Sequence, residues 1–246
     1  MQPEDAARML ERHRDAGGRT GWSAAAVKGT SDASERMAGY GLLGLMFESG
    51  HVLAFRRFTA SSIGPPYVSI WHRRPDGRWF IHTNVEPARA CPRYFGPALH
   101  GYHVDEIDIA WKGPAELSIS AVHARIHLAL RLEGSALTRL LGAASRAAPG
   151  ALLEHRRSGV VAGRILGAGR MTLAGVAPAG QEFVIRPSAV WRVAAAAAVI
   201  DGREAGAVIT AVDQAALGTF AIPARGLFAT GRVEFRTLAP AARVFP

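Results

Sequence analysis

The sequence has one cysteine, Cys91, among 246 residues. A single thiol cannot form an internal disulfide, and a C-x-x-C zinc site needs a second one. Lysine is almost as rare, because the 29 basic residues include only Lys28 and Lys112. The arginines are scattered, whereas a nucleic-acid surface needs a basic stripe interleaved with aromatic residues. Despite the net charge of +9, we expect no specific nucleic-acid partner.

Long apolar runs are also missing. The longest, such as Val193–Ile200, fall far short of the roughly 18 residues that span a bilayer. The first twenty residues carry eight charges and no apolar core, unlike a secretory signal. Nucleophile-elbow, dinucleotide-loop and phosphate-loop motifs are absent as well. We therefore expect a cytoplasmic protein with no transmembrane segment and no cofactor.

Histidines are concentrated in one part of the chain, with seven of nine between His51 and His127. This clustering suggests a metal site, but the spacing argues against one. On a strand, His123 and His127 would stand roughly 13 Å apart, too far for zinc bonds of about 2 Å. His100 and His103 lack the H-x-H spacing of a cupin strand. We expect no structural metal.

What the sequence does contain indicates a turn-rich globular protein with a substantial core. Hydrophobic residues make up 49%, with 27 glycines and 14 prolines. Residues 3–16 predict a helix, with Pro3 in its first turn and Gly17 at its end. From about residue 40, alternation with period 2 predicts strands. In the first half these cover 51–58, 67–73, 78–85, 103–111 and 115–120.

The clearest alternation spans residues 122–132, where apolar side chains occupy every second position. It predicts a strand with one face on a core. The residues that we predict to be buried are Val122, Ile126, Leu128, Leu130, Trp111 and Trp79. The turn Pro75-Asp76-Gly77 predicts a hairpin between the strands at 67–73 and 78–85.

Residues 135–166 interrupt the β pattern, since Leu137, Leu140, Leu141 and Ala144 repeat at helical spacing. Strand patterns return after residue 167. The predicted organisation is an N-terminal helix and lead-in (1–38), a first β half (39–134), a helical interlude (135–166) and a second β half (167–246). Short turns between neighbouring strands favour antiparallel pairing. The predicted fold is all-β, an antiparallel barrel or sandwich.

The stretch from Gly50 to Val85 (GHVLAFRRFTASSIGPPYVSIWHRRPDGRWFIHTNV), followed by IDIAWKGPAELSIS, resembles a known family. It is similar to the lipocalin-like (calycin-type) bacterial carotenoid hydratases and related terpenoid-modifying proteins. The shared features are an S-x-x-x-x-P-Y-like turn, an aromatic strand and a later I-x-W-x-G strand, over about 75 residues. The resemblance implies a lipocalin-like fold and a hydrophobic ligand, isoprenoid or polyketide-like. It identifies no catalytic residue.

The predicted hairpin at 67–86 combines dense aromatic content with ionisable residues at alternating positions. We predict that it lines a cavity for a hydrophobic ligand. The predicted ligand-binding residues are Tyr67, Trp71, Trp79, Phe80 and Tyr94. Buried ionisable groups need partners, so the predicted catalytic residues are His72, His82 and Glu86. Core packing is the alternative explanation for the aromatic residues, and exposure to solvent is the alternative for the histidines.

Three functions fit these features. The first is an enzyme that hydrates, cyclises or isomerises a hydrophobic small molecule by general acid/base chemistry, since burial can shift a carboxyl or imidazole pKa. The second is a non-catalytic carrier with the same fold. The third is a basic surface module for acidic partners. Ionisable groups in the cavity would favour the enzyme, and an apolar cavity would favour the carrier.

Overall fold

The computed structural model describes residues 1–15, 34–135, 156–210 and 213–237, with the single residues 138 and 143. The helices are α1 (Pro3–Asp15), α2 (Pro92–Phe95) and α3 (Arg156–Ile165). The strands of the first part are β1 (Ser34–Phe47), β2 (Val52–Ser61), β3 (Tyr67–Arg73), β4 (Trp79–Thr83), β5 (Gly101–Val104), β6 (Ile107–Gly113), β7 (Glu116–Ala121) and β8 (Ile126–Glu133). Those of the second part are β9 (Ala174–Val176), β10 (Glu182–Ile200), β11 (Arg203–Glu204), β12 (Val208–Ile209), β13 (Ala216–Leu217), β14 (Phe220–Ala221) and β15 (Leu227–Arg236).

One large sheet organises these strands in the order β5-β4-β3-β2-β1-β15-β10-β8-β7-β6. Its pairs are antiparallel except for β4 and β5, which run parallel. The sheet curls into a half-barrel. Strands from both predicted β halves share it, because β15 lies between β1 and β10. The predicted all-β, mainly antiparallel fold is confirmed.

Side-chain alternation divides the wall of β1–β3 between two apolar cores. Leu53, Phe55 and Ile70 face a first core that also includes residues of α1, β7 and β8. Tyr67 and Trp71 face a second core, which α2 and β14 help to cover. Both faces of β3 are therefore buried, and consecutive residues on it have different surroundings.

The strand β1 begins at Ser34, within the stretch that the sequence predicts as an irregular lead-in. Glycine disfavours strands, and Gly39, Gly41 and Gly44 conceal the alternation here. A Cβ atom at Gly39 would collide with the carbonyl oxygen of Arg57, and one at Gly41 with that of Phe55. The glycines thus let β1 and β2 approach closely where their register shifts.

The predicted burial of Val122 is wrong, since 55% of this residue is exposed. Residues 122–125 form a turn, and β8 starts only at Ile126. The carboxylate of Asp105 accepts the backbone N–H groups of His123 and Ala124, at 2.8 Å each, and holds this turn. Ile126, Leu128, Leu130 and Trp79 are buried as predicted, whereas Trp111 is only half-buried.

Two further predictions differ in extent from the structure. The predicted strand at 103–111 is two strands, β5 and β6, separated by Asp105 and Glu106. The N-terminal helix matches the predicted range to within one residue. The predicted helix that contains Leu137, Leu140, Leu141 and Ala144 lies outside the described residues, and α3 occupies part of the predicted interlude.

Candidate functional site

A cavity of about 100 Å³ lies on the second-core face of the sheet and is partly open to solvent. Its walls come from β1, β2, β3, β10 and β15, with α2 and β14 on the opposite side. Most of the lining is apolar or aromatic, as is usual for small-molecule sites. The residues that matter most for its chemistry are Arg56, Tyr67, Trp71, Cys91, Tyr94 and Phe220.

Arg56 brings a positive charge to this apolar wall. Its Nη1 atom donates to the carbonyl oxygens of Leu42 and, at 2.9 Å, Phe55. The guanidinium carbon lies 4.9 Å from the centre of the Trp71 ring and 5.8 Å from that of Phe220, in cation–π geometry. Burial lowers the pKa of Arg56 to about 10. The side chain is therefore still charged at neutral pH.

Two buried donors beside the cavity lack an acceptor within the described part of the chain. They are the Nη2 atom of Arg56 and the Nε1 atom of Trp71. Trp71 is 2% exposed, and its ring packs against Phe95 with centroids 4.6 Å apart. A buried donor without an acceptor costs about 1–3 kcal/mol. An oxygen atom delivered by a ligand would remove that cost.

Cys91 places the chain's thiol in the same cavity wall. The Ser69 hydroxyl donates to its Sγ atom at 3.1 Å, and the Tyr67 hydroxyl lies 3.7 Å from the same atom. Tyr67 also donates to the sulfur of Met37 at 3.2 Å. Burial, reinforced by Cys91, raises the pKa of Tyr67 well above its ordinary value. The Tyr67 phenol is therefore neutral at physiological pH.

Tyr94 forms the border between the cavity and a surface ion pair. Its hydroxyl donates to Glu35 at 2.6 Å, and its ring stacks on Phe235 at 3.6 Å. Burial and the Glu35 carboxylate raise the pKa of Tyr94. Burial alone would raise the pKa of Glu35, but hydrogen bonds from Arg93 and Tyr94 lower it. Glu35 is thus a paired carboxylate that fixes Tyr94.

The structure brings three of the predicted ligand-binding residues, Tyr67, Trp71 and Tyr94, to this cavity. That they bind a ligand stays a prediction. Trp79 packs in the second core, and its Nε1 atom donates to the carbonyl of Ala216 at 3.0 Å. Phe80 belongs to the opposite face of β4, where Arg74 lies 4.3 Å from its ring centre.

The predicted catalytic residues do not line this cavity. His72 follows Trp71 on β3, so strand alternation directs it to the other face. His82 shares that face, with its ring 6.4 Å from that of His72. Glu86 is on the surface, its side chain 67% exposed, 3.6 Å from Arg89. The expected meeting of these three residues with a ligand in this cavity is therefore not found, and their catalytic roles stay predictions.

The histidines instead form a row across the strands on the first-core face. The Nδ1 atom of His51 lies 2.8 Å from the Nε2 atom of His72, and the ring of His82 stacks on that of His103 at 5.5 Å. His82 also lies 3.6 Å from the buried carboxylate of Asp105. Burial is the main reason that the pKa of His72 falls to about 3 and that of His82 to about 4.

Sequence reasoning missed Arg56 and Cys91. The signal for Arg56 was present, because it stands between Ala54 and Phe58 at the alternate positions of a strand that is otherwise apolar on this face. Cys91 gave no comparable signal, since it follows β4 in a segment of short helical turns. Only the tertiary structure brings its thiol to Ser69 and Tyr67.

No group of three or more histidine, cysteine or acidic side chains in the described part of the chain is arranged to hold a metal ion. Likewise, none of the helices described has both the length and the apolarity to cross a membrane.

Comparison with known proteins gives a weak structural likeness and no match in sequence. No protein family matches the chain, and no curated protein matches it. The crystal structure of acetoacetate decarboxylase (ADC) from Legionella pneumophila is similar with a TM-score of 0.42 and 8% sequence identity. The match covers 85% of this chain and 88% of that one. At this identity residues of the two chains cannot be equated, so the candidate site rests on the geometry described above.

Proposed function

We propose that the protein binds a compact hydrophobic molecule that carries a carboxylate, with Arg56 as the residue that recognises the anion. The observation that carries this proposal is the pair of buried donors, Arg56 Nη2 and Trp71 Nε1, which have no acceptor in the described residues. Both side chains line one apolar cavity. A carboxylate has two acceptor oxygens and a charge opposite to that of the guanidinium.

The energetics favour an anion over a neutral group. Hydrogen bonds to charged groups contribute about 1.5–3 kcal/mol each, and the interaction is stronger where water is excluded. The rings of Trp71 and Phe220 lie beside the guanidinium, and its Nη2 atom is buried from water. A hydrophobic body would fill the apolar space, at about 25 cal/mol for each Å² of surface removed from water.

The cavity volume of about 100 Å³ sets the scale of the ligand. A 150 Å³ apolar cavity in another protein accommodates benzene. The enclosed part of the ligand is therefore no larger than a single ring or a short branched chain, and any longer isoprenoid or polyketide-like tail would extend through the open side.

Binding is better supported than catalysis. Among the described residues that line the cavity there is no carboxylate and no imidazole. Arg56 keeps its proton at physiological pH, and the raised pKa of Tyr67 makes its phenol a poor proton donor. General acid/base hydration, cyclisation or isomerisation by the predicted route would need a carboxyl or imidazole group that contacts the ligand. We therefore favour a carrier or sensor of hydrophobic acids.

Calorimetric titration with benzoate and benzamide tests this proposal, because the two probes are nearly isosteric and differ in charge. Wild-type protein should bind benzoate at least about tenfold more tightly, as expected for one charge-assisted hydrogen bond. Arg56→Gln should remove that preference, and Trp71→Phe should reduce it. The matched control is Arg131→Gln, since Arg131 is an exposed residue of β8. Equal binding of the two probes by wild-type protein would refute the proposal.

A further inference from the structure

We infer that Cys91 captures electrophilic ligands of this cavity covalently, namely α,β-unsaturated carbonyl compounds that also carry a carboxylate. This inference rests on the proposed function, because Arg56 would orient the carboxylate while the thiol attacks the alkene. Cys91 lines the same cavity as Arg56 and Trp71. Apart from the thiol itself, the Nε1 atom of Trp71, a residue only 2% exposed, has no acceptor among the described residues and indicates that a ligand oxygen belongs there.

The surroundings of the Cys91 sulfur suit a nucleophile. Ser69 donates a hydrogen bond to Sγ at 3.1 Å, and the Tyr67 hydroxyl lies 3.7 Å away. Arg56 interacts electrostatically with Cys91. The Ser69 hydroxyl and the Arg56 guanidinium can therefore stabilise the negative charge that sulfur carries when it attacks. The other described groups that line the cavity include no amine and no imidazole that would compete as nucleophiles.

The reaction is a conjugate addition and needs no further reagent. A bond forms between Sγ and the β-carbon of the unsaturated carbonyl compound as the carbon–carbon π bond breaks. The electron pair of that π bond moves to the α-carbon, which takes up the proton lost by the thiol. Nothing is oxidised or reduced, and no group leaves. The product is a thioether, and reversal of the same steps releases the ligand.

The location of the thiol also predicts selectivity. Cys91 is 5% exposed, so a hydrophilic reagent in bulk water has little access to it. A hydrophobic acid that enters the cavity would be held by Arg56 next to Sγ. The reaction should thus depend on prior binding, because a bound and oriented ligand has a high effective concentration at the Cys91 thiol.

Intact-protein mass spectrometry with 3-benzoylacrylate and its neutral amide tests the inference. Cys91 is the chain's single cysteine, so a thiol adduct has one possible site. Each rate is divided by the rate of the same reagent with N-acetylcysteine. Wild-type protein should then react at least about tenfold faster with the acid than with the amide. The ratio should approach one in Arg56→Gln and stay unchanged in Arg131→Gln.

Two measurements keep the test independent of folding defects. A destabilised variant unfolds more often, which exposes the thiol, so it should be labelled faster than wild-type protein. If the acid labels Arg56→Gln more slowly than it labels wild-type protein, lost stability cannot be the cause. Excess benzoate should also slow the labelling of wild-type protein, which needs no variant. An unmodified thiol in the folded protein, or equal normalised rates for acid and amide, would overturn the inference. Cys91→Ser separates the two proposals. If the proposed function is correct, this variant should still prefer benzoate to benzamide, whether or not the thiol of the wild-type protein reacts.

Discussion

Acidification should destabilise the protein through the histidine row of β3 and β4. His72 and His82 are 5% and 8% exposed, and burial lowers their pKa values to about 3 and about 4. His51, His82 and Arg74 lower the pKa of His72 further, whereas Asp76 opposes them. At His82, Asp105 raises the pKa while His103 and Arg74 lower it. Both imidazoles are thus neutral in the folded protein at pH 5.

The sign of the effect follows from proton linkage. In the unfolded chain a histidine titrates near 6.5, so below that pH the unfolded state binds protons that the folded state rejects. Stability is complete above about pH 6.5 and falls as the pH decreases towards the folded pKa values of about 4 and about 3. At pH 5, some 1.5 units below the unfolded pKa, each buried histidine costs about 2 kcal/mol. The pair costs about 4 kcal/mol.

Urea denaturation at several pH values between 7.5 and 5 measures this loss. Over this range the unfolding free energy of His72→Phe should fall by about 2 kcal/mol less than that of wild-type protein. The reason is that the unfolded state of the variant has lost one proton-binding site. His127→Gln is the matched control, since His127 is exposed on β8 and should leave the pH dependence unchanged. A His72→Phe curve parallel to that of wild type would refute the reasoning.

Three other predictions concern the fold, and each is tested by urea or thermal denaturation. Ile126→Ala should lower the unfolding free energy by about 2–5 kcal/mol, whereas Val122→Ala should change it by less than about 0.5 kcal/mol. Similar effects at both positions would contradict the observed start of β8. Asp105→Ala removes an acceptor of two backbone N–H groups and should cost about 3–5 kcal/mol; a neutral effect would show that the turn holds without it. Gly39→Ala should destabilise by about 1–3 kcal/mol through overpacking, while Gly113→Ala, whose Cβ would have its nearest neighbour, Glu116, at 3.9 Å, should not.

The elements that local patterns specify could be predicted from the sequence. The range of β3 was predicted to the residue, because branched and aromatic side chains and a Pro-Asp-Gly turn define it. The alternation at 122–132 correctly predicted the buried face of β8, but not its start. That start depends on Asp105, whose carboxylate holds the turn through backbone N–H groups 18 and 19 residues further along the chain. Tertiary contacts of this kind leave no periodic signal.

The candidate site was only partly predictable, for a related reason. Alternation shows that Trp71 and His72 face opposite sides, but it does not show which side contains a cavity. In a half-buried sheet the polar residue would be on the solvent side. Here both faces of β3 are covered, so the histidine is buried as well, among other histidines. Choosing between the two faces requires knowing that α2 and β14 cover one of them.

Arg56 shows how a violated local rule locates the site. A charged side chain on the inward face of a strand is costly unless it is paired, and a guanidinium with a donor lacking an acceptor is costlier still. Leu42 and Phe55 supply acceptors only for Nη1. A fold selected for stability alone would have an apolar residue here, since such replacements of buried charges are often neutral or stabilising. The arginine therefore argues for a function of the cavity, and its Nη2 atom, which has no acceptor among the described residues, is where the proposed ligand would supply an oxygen.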